Sequence, residues 1–444
     1  MINNRIYVSF LFICLTFCCL AENKPIAPDG NGTKTNPYKI SRIENFVWLS
    51  QNSSLLTELS YLSLENDIDA SETAKWNDGA GFTPIGLSDN PNIPYDVIID
   101  FNGKGNIISG LYVNRLDGKH MGFFASIKDS NISSFVISNS FFSGYRQMGA
   151  IAGNAESSMF KNCIVANSDI ICSVTNISGL GMHVWIGGLV GNSKNGTVFE
   201  NCEFSGRISG SGEFGGIAGY AKKSRFSDSF SAVEFMDFSS ETFAVGGIVG
   251  NAEDSKIIRC ISDINCSNNN NGYGIGGIAG FASIYETEIK CSRVKGEICG
   301  NYGIGGIIGC GGGLIENSYS RCELIGDSEI GGIAGRIELS CVVSNCYALG
   351  DIIADSLYGG IVGSDFDEMT SINNCYHSFK PLNGWESSRE EMKHQNTYAG
   401  WDFGTIWDIN DGEGYPYFQW EVPEPMLANL LLAFFLSFTS MRKQ

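Results

Sequence analysis

Between residues 101 and 376 the apolar positions come in short runs, with Ile, Val and Phe alternating with polar residues and each run bounded by Gly, Ser or Asn. Runs of roughly five residues with period two read as strands and are too short for useful helices. The runs also repeat. A Gly-x-Ile/Leu-Ala/Val/Ile-Gly pentad begins at Gly149, Gly187, Gly215, Gly246, Gly276, Gly305, Gly331 and Gly359, and a degenerate copy, Gly122-Phe-Phe-Ala-Ser126, precedes them. Apart from one step of 38, the full copies recur every 26 to 31 residues. Thirteen to sixteen residues after each start comes a second signature: Asn162-Cys163, Asn201-Cys202, Asp228-Ser229, Arg259-Cys260, Lys290-Cys291, Asn317-Ser318, Asn345-Cys346 and Asn374-Cys375. Its second position takes only Cys or Ser.

A unit this small cannot bury a face alone, whereas stacked copies can. Stacking predicts one internal ladder of Ile151, Leu189, Ile217, Ile248, Ile278, Ile307, Ile333 and Ile361, and a second at the Cys/Ser position, carrying Cys163, Cys202, Cys260, Cys291, Cys346 and Cys375. Parallel strands joined this way cross over right-handedly. The fold expected is therefore all-β, a right-handed parallel β-helix, or solenoid, of about eight to nine coils with N- and C-terminal caps, roughly 40 Å tall at about 4.8 Å per coil. In it the glycines serve corners that need φ > 0 and the close approach of successive coils.

Composition refines this picture. The formal charge is −19, and it becomes −22 without residues 1–21 and 426–444, which carry Arg5, Arg442 and Lys443 and no acid. That balance excludes nucleic acid as a partner. Fifty-five glycines against ten prolines exclude collagen and Pro-rich linkers. Residues 6–20, an apolar stretch after Arg5, are shorter than the roughly 20 that span a bilayer and predict a signal peptide over 1–21, cleaved at Ala21. Three of the 15 cysteines, Cys14, Cys18 and Cys19, fall there, and the other twelve lie in the repeats. In-register cysteines on parallel strands point the same way, so the repeat cysteines are expected to be reduced, buried and small-hydrophobe-like.

The pentads resemble the GLUG motif of bacterial surface proteins, including adhesins and IgA-peptidase precursors. Asp29-Gly-Asn-Gly-Thr-Lys-Thr-Asn-Pro-Tyr-Lys-Ile40, Phe82-Thr-Pro-Ile-Gly86 and Phe101-Asn-Gly-Lys-Gly-Asn-Ile-Ile-Ser-Gly-Leu111 are similar to the opening of such proteins. Glu391-Met-Lys393, Thr397-Tyr-Ala-Gly-Trp-Asp-Phe403, Ile406-Trp407 and Tyr415-Pro-Tyr-Phe-Gln-Trp420 are similar to their closing module. The resemblance implies a capped β-helix for attachment or display at a surface, with no catalytic residues in the repeat. At the C-terminus, Pro423, Glu424 and Pro425, an apolar stretch over 426–438, and Arg442 and Lys443 resemble a PEP-CTERM sorting signal, which implies an exosortase-type processing enzyme as partner and transient membrane association through the tail. The expected organisation is a signal peptide over 1–21, an N-terminal cap over 22–100, GLUG-type repeats over 101–376, an aromatic C-terminal capping module over 377–422 and the sorting tail over 423–444.

No Asp-Asp, Asn-Thr-Asp, Gly-His-Gly, His-Glu-x-x-His or Gly-x-Ser-x-Gly occurs, and His120, His183, His377 and His394 are far apart. Gly-x-Gly-x-x-Gly at Gly210/Gly212/Gly215 and Gly272/Gly274/Gly277 is a by-product of the repeat, with no helix to meet a phosphate. Asp365-Phe-Asp367-Glu368 and residues 408–413 offer acidic turns without completing a calcium loop. Trp385, Trp401, Trp407, Tyr415, Tyr417, Phe418 and Trp420 are expected to plug the open end of the solenoid. No catalytic, cofactor-binding or metal-binding residue is assigned. The function expected is a non-catalytic, secreted protein of the cell surface or extracellular matrix, acting in adhesion or biofilm display and meeting extracellular polysaccharide or a surface protein. The alternative is a carbohydrate-active or carbohydrate-binding β-helix; it requires Asp, Glu, Arg and His clustered in a groove on one flank.

Overall fold

Residues 213–236 trace one coil. The strand Glu213–Gly215 runs into the pentad, which bends into Ala218–Lys222; a corner at Lys223-Ser224 leads to Arg225–Ser227, and a corner at Asp228-Ser229 leads to Phe230–Met236. In this computed structural model, which describes residues 24–88, 94–173, 184–236, 242–266, 272–283, 286–366, 370–378 and 385–421, such coils stack into three parallel sheets. The first face has nine strands, the second, with two strands per coil, has twenty, and the third has fifteen. The chain is thus an all-β parallel solenoid of about nine coils. Ala21 and the tail residues Pro423, Glu424, Pro425, Arg442 and Lys443 lie outside the described residues.

The pentad is the corner between the first and second faces. All eight Ile/Leu ladder residues, Ile151 to Ile361, are fully buried there, and hydrogen bonds run through the corner from coil to coil, Ile248 N–H to Ile278 O at 3.0 Å and Ile278 N–H to Ile307 O at 2.9 Å. The two roles expected of glycine fall to different positions: positive φ at corners such as Gly105, Gly110 and Gly196, and close approach in the pentads. The pentad glycines are required by close approach: a Cβ on Gly246 would stand 1.9 Å from Val249 O. The left-handed corners beside the Cys/Ser ladder use Asn162, Asn201, Asp228, Arg259, Asn317, Asn345 and Asn374, with φ between 49° and 53°. Asn and Asp tolerate that region because their short polar side chains bond locally.

Each of these residues precedes the Cys/Ser ladder, and the geometry shows why only those two types occur. Ser229 Oγ donates to Ser227 O at 3.0 Å and accepts from Cys202 N–H in the preceding coil at 3.1 Å. Cys202 Sγ makes the matching contact to Glu200 O at 3.6 Å and also reaches Phe160 O of the coil before, at 3.4 Å. A small side chain with a donor at the γ position closes the corner and ties it to its neighbour. Cys163, Cys202, Cys260, Cys346 and Cys375 occupy this buried ladder. Cys291 does not. It takes the left-handed position at φ 50° and is half-buried, while fully buried Ser292 bonds Lys290 O and accepts from Cys260 N–H. The signature in this coil is Cys291-Ser292, one residue later than the sequence spacing suggests. All twelve repeat cysteines are free, eleven of them buried, and burial pushes Cys260 and Cys322 up to about 12.

A further ladder, Ser130, Ser158, Thr197, Ser224, Ser255 and Thr287, lines the corner within the second face and escaped the sequence reading. It uses the same device, with Ser224 N–H donating to Ser255 Oγ at 3.1 Å. Inside, Phe160, Phe199 and Phe226 stack at 4.8 and 4.7 Å. At the N-terminal end the helix Ile43–Gln51 lays Phe46 edge-on against Phe101 and Phe123, sealing the first coils.

The C-terminal module departs from expectation. Tyr319, Tyr347 and Tyr376 are in register on the outer side of the third face, and Tyr398, Trp401, Trp407 and Phe418 pack on them. Glu421 reaches Arg293 at 2.5 Å and accepts from Tyr319 Oη at 2.9 Å. The described aromatic residues therefore cover a flank of the last coils rather than plug the end, because the outward tyrosines offer an apolar landing surface there.

Candidate ligand groove on the third face

Upstream of that module the third face bears a groove of about 740 Å³, lined by residues of five successive strands, from Asn139–Phe141 through Asp169, Arg207 and Glu234 to Asp263 and Asn265. Two features of local sequence make it. The pairing of Ile164–Cys172 with Glu203–Ser209 contains a bulge between Val165 and Ser168, and Gly206 sits opposite it at φ 152°. A Cβ on Gly206 would fall 2.0 Å from Ser168 O, so this floor position must be bare. Outward side chains at one register position then form a column, one per coil: Tyr112, Phe141, Asp169, Arg207, Glu234 and Asn265.

Phe141 closes the lower end, with Tyr112 stacked behind it at 4.9 Å and 13°. Beside it the corner residues Asn139 and Asn167 form a ladder, Asn167 Nδ2 donating to Asn139 Oδ1 at 2.6 Å. Arg207 grips Asp169 in a two-point bond at 2.8 and 2.6 Å, which raises the guanidinium above its ordinary range. Lys295 holds Asp263 Oδ2 at 3.2 Å, while Asp263 Oδ1 is buried without a donor among the described residues. The arrangement can accept hydrogen bonds along a line and offer a ring platform at one end.

None of these residues was singled out from sequence. Counting from the Cys/Ser anchor finds them: Arg207, Glu234 and Asn265 stand five after Cys202, Ser229 and Cys260, and Asp169 stands six after Cys163 because of the bulge. The described histidines are not brought into the groove. His120 lies on the first face, where burial and Arg146 push it down to about 4; His377 is buried on the last strands of the third face; and His394 lies in the C-terminal module, 3.6 Å from Asp411. His183, Asp367 and Glu368 lie outside the described residues. Asp408 and Asp411 serve as turn acceptors, for Ile409 N–H and Gln395 N–H. Both Gly-x-Gly-x-x-Gly matches lead into strands, Ala218–Lys222 and Ala279–Ala282.

Fold and groove define a class: a parallel β-solenoid repeat protein with a polar groove along one flank. Against known proteins, no family model matches the chain. Over 133 residues, 29% of this chain and 1% of the other, it is 31% identical to "Halomucin" of Haloquadratum walsbyi. Over 136 residues, 28% of this chain and 15% of the other, it is 34% identical to "Putative Gly-rich membrane protein" of Evansella cellulosilytica. The chain thus spans a small part of the length of these curated relatives. It is also similar to the crystal structure of "a putative immunoglobulin A1 protease" from Bacteroides ovatus, at 19% identity and a TM-score of 0.33 over 88% of this chain and 95% of that one.

Proposed function

We propose that this chain is a non-catalytic protein of the cell surface or extracellular matrix, which attaches through the flank of a rigid solenoid. The observation that carries the reading is the groove, an unbroken polar column across successive coils whose positions are fixed by ladders of buried hydrogen bonds. The GLUG-like repeats, the signal-like residues 1–21 and the names of the two relatives, a halomucin and a Gly-rich membrane protein, agree with a surface setting. On this reading the PEP-CTERM-like tail directs an exosortase-type enzyme to release the folded rod from transient attachment to the membrane. Deleting residues 423–444 should send the protein into the medium with its fold intact, and mass spectrometry of the surface-associated form should find no peptide from 426–444. Recovery of that segment from the mature surface form would refute the sorting role. Loss of matrix attachment in cells lacking the protein, restored by its re-expression, tests adhesion itself.

A second reading, an enzyme acting on polysaccharide, draws on three carboxylates, Asp169, Glu234 and Asp263, in one groove. Two of them are held in ion pairs with Arg207 and Lys295, an arrangement suited to binding. Release of reducing ends from a polysaccharide by the purified protein, abolished by Glu234→Gln, would favour this second reading.

A further inference from the structure

The groove has a directional chemistry that the general reading of surface attachment leaves open. Its lining comes from five successive coils, which at about 4.8 Å per coil is a track of roughly 19 Å parallel to the rod axis. A compact ligand has no use for such a column; a linear chain of repeating units does. The charged groups along it are mostly acceptors. Asp169, Glu234 and Asp263 contribute carboxylates, and Arg207, the one cation among the described lining residues, is engaged by Asp169 through its two-point bond. Asp263 Oδ1 is buried and has no donor among the described residues, although Lys295 holds the other oxygen. Phe141, backed by Tyr112, supplies an apolar ring face at the end of this track.

We infer that the third-face groove binds a non-anionic polysaccharide strand, neutral or amine-bearing, laid along the rod axis with one sugar ring against Phe141 and its hydroxyl or ammonium donors on Asp169, Glu234 and Asp263. This rests on the proposed surface function and names its ligand. Hydroxyls and ammonium groups provide donors for these carboxylates. A uronate or sulfated chain brings more acceptors into a groove already rich in carboxylates, and the protein's charge of −19 repels polyanions from a distance.

The test is native affinity electrophoresis of the full secreted protein. The gels contain dextran, hydroxyethyl cellulose, galactomannan or chitosan oligomers on one side, and polygalacturonate or alginate on the other. At least one non-anionic polymer should retard the protein, and neither polyanion should. Phe141→Ala should weaken that retardation about tenfold, as loss of one ring contact implies. Glu234→Lys, an exchange at an outward position, should weaken binding to the non-anionic polymer and allow retardation by polygalacturonate; circular dichroism establishes that both variants are folded. Retardation by none of the non-anionic polymers overturns the inference, as does stronger retardation by a polyanion or equal retardation of the wild type and both variants. Attachment assays separate the two levels: cells that need the protein to adhere while no polymer retards it leave the adhesion reading standing without this ligand, whereas retardation without any adhesion defect does the reverse.

Discussion

Replacing Gly246 with alanine separates two explanations of a glycine-rich repeat. The added Cβ would stand 1.9 Å from Val249 O, 2.7 Å from Gly280 N and 2.8 Å from Ala279 Cα, all backbone atoms of the corner or of the next coil. Heavy atoms meet comfortably at roughly 3.5 Å, so the backbone must move by more than about 1 Å. That movement disturbs the rungs from Gly247 N–H to Gly276 O at 3.3 Å and from Ile248 N–H to Ile278 O at 3.0 Å. Two hydrogen bonds at about 1 kcal/mol each, with overpacking strain of about 1–3 kcal/mol, give a loss of about 3–5 kcal/mol. Gly196 is the control: its φ is +88° and a Cβ there meets nothing within 4 Å, so alanine costs only the left-handed penalty of about 1–2 kcal/mol. Hydrogen exchange read by mass spectrometry, coil by coil, is the assay, because stacked repeats lose stability mainly at the altered unit and its neighbours. Protection should collapse around residues 246–280 in Gly246→Ala and stay close to wild type in Gly196→Ala. A Gly246→Ala protein within about 1 kcal/mol of wild type, or a costlier Gly196→Ala, would refute the close-approach account.

Thiol counting on the unfolded, unreduced protein should find the twelve repeat cysteines free, and in the native state alkylation should label half-buried Cys291 ahead of fully buried Cys260; prior labelling of Cys260 contradicts the ladder assignment. His120, held near pKa 4 against an ordinary 6.5, stays neutral in the folded protein while the unfolded chain takes up a proton, so its contribution is complete above pH 6.5 and is lost as pH falls towards 4. Urea titrations across that window should show up to about 3 kcal/mol less loss in His120→Asn than in wild type, and identical pH profiles would count against the burial of this imidazole. Glu421→Ala leaves Arg293 unpaired in a site where both side chains are more than nine-tenths buried. It should cost about 3–5 kcal/mol in the C-terminal module, seen as early unfolding by tryptophan fluorescence, while the upstream coils keep their exchange protection; an unaltered transition would show that the clasp contributes nothing.

The coil was legible because its constraints repeat. Every pentad Ile or Leu faces inward, and the Cys/Ser choice reports a corner that needs a small γ-donor, so both ladders stand out in the sequence itself. The slip at Cys291 arose because Cys stands in the left-handed position there, directly before the Ser that belongs to the ladder. The groove was hidden for the opposite reason. Its column passes through Phe141, Asp169, Arg207, Glu234 and Asn265, five different residue types at outward positions where packing imposes none, and the bulge at Val165/Ser168 shifts the count by one. The seat of the C-terminal module was hidden by distance: Tyr319 and Glu421 are 102 residues apart, and nothing local links them.

That seat has a mechanical consequence. The described chain ends at Glu421, clasped to Arg293 three coils short of the last one, so a pull on the residues beyond it meets the clasp before it meets the terminal coil. Load enters the rod sideways, across the stacked tyrosines, and is shared by several strands at once. Pulled from its last coil, a solenoid would unzip one rung at a time; pulled from Glu421, it must first shear an aromatic layer off its flank, and the final coils bear little of the force.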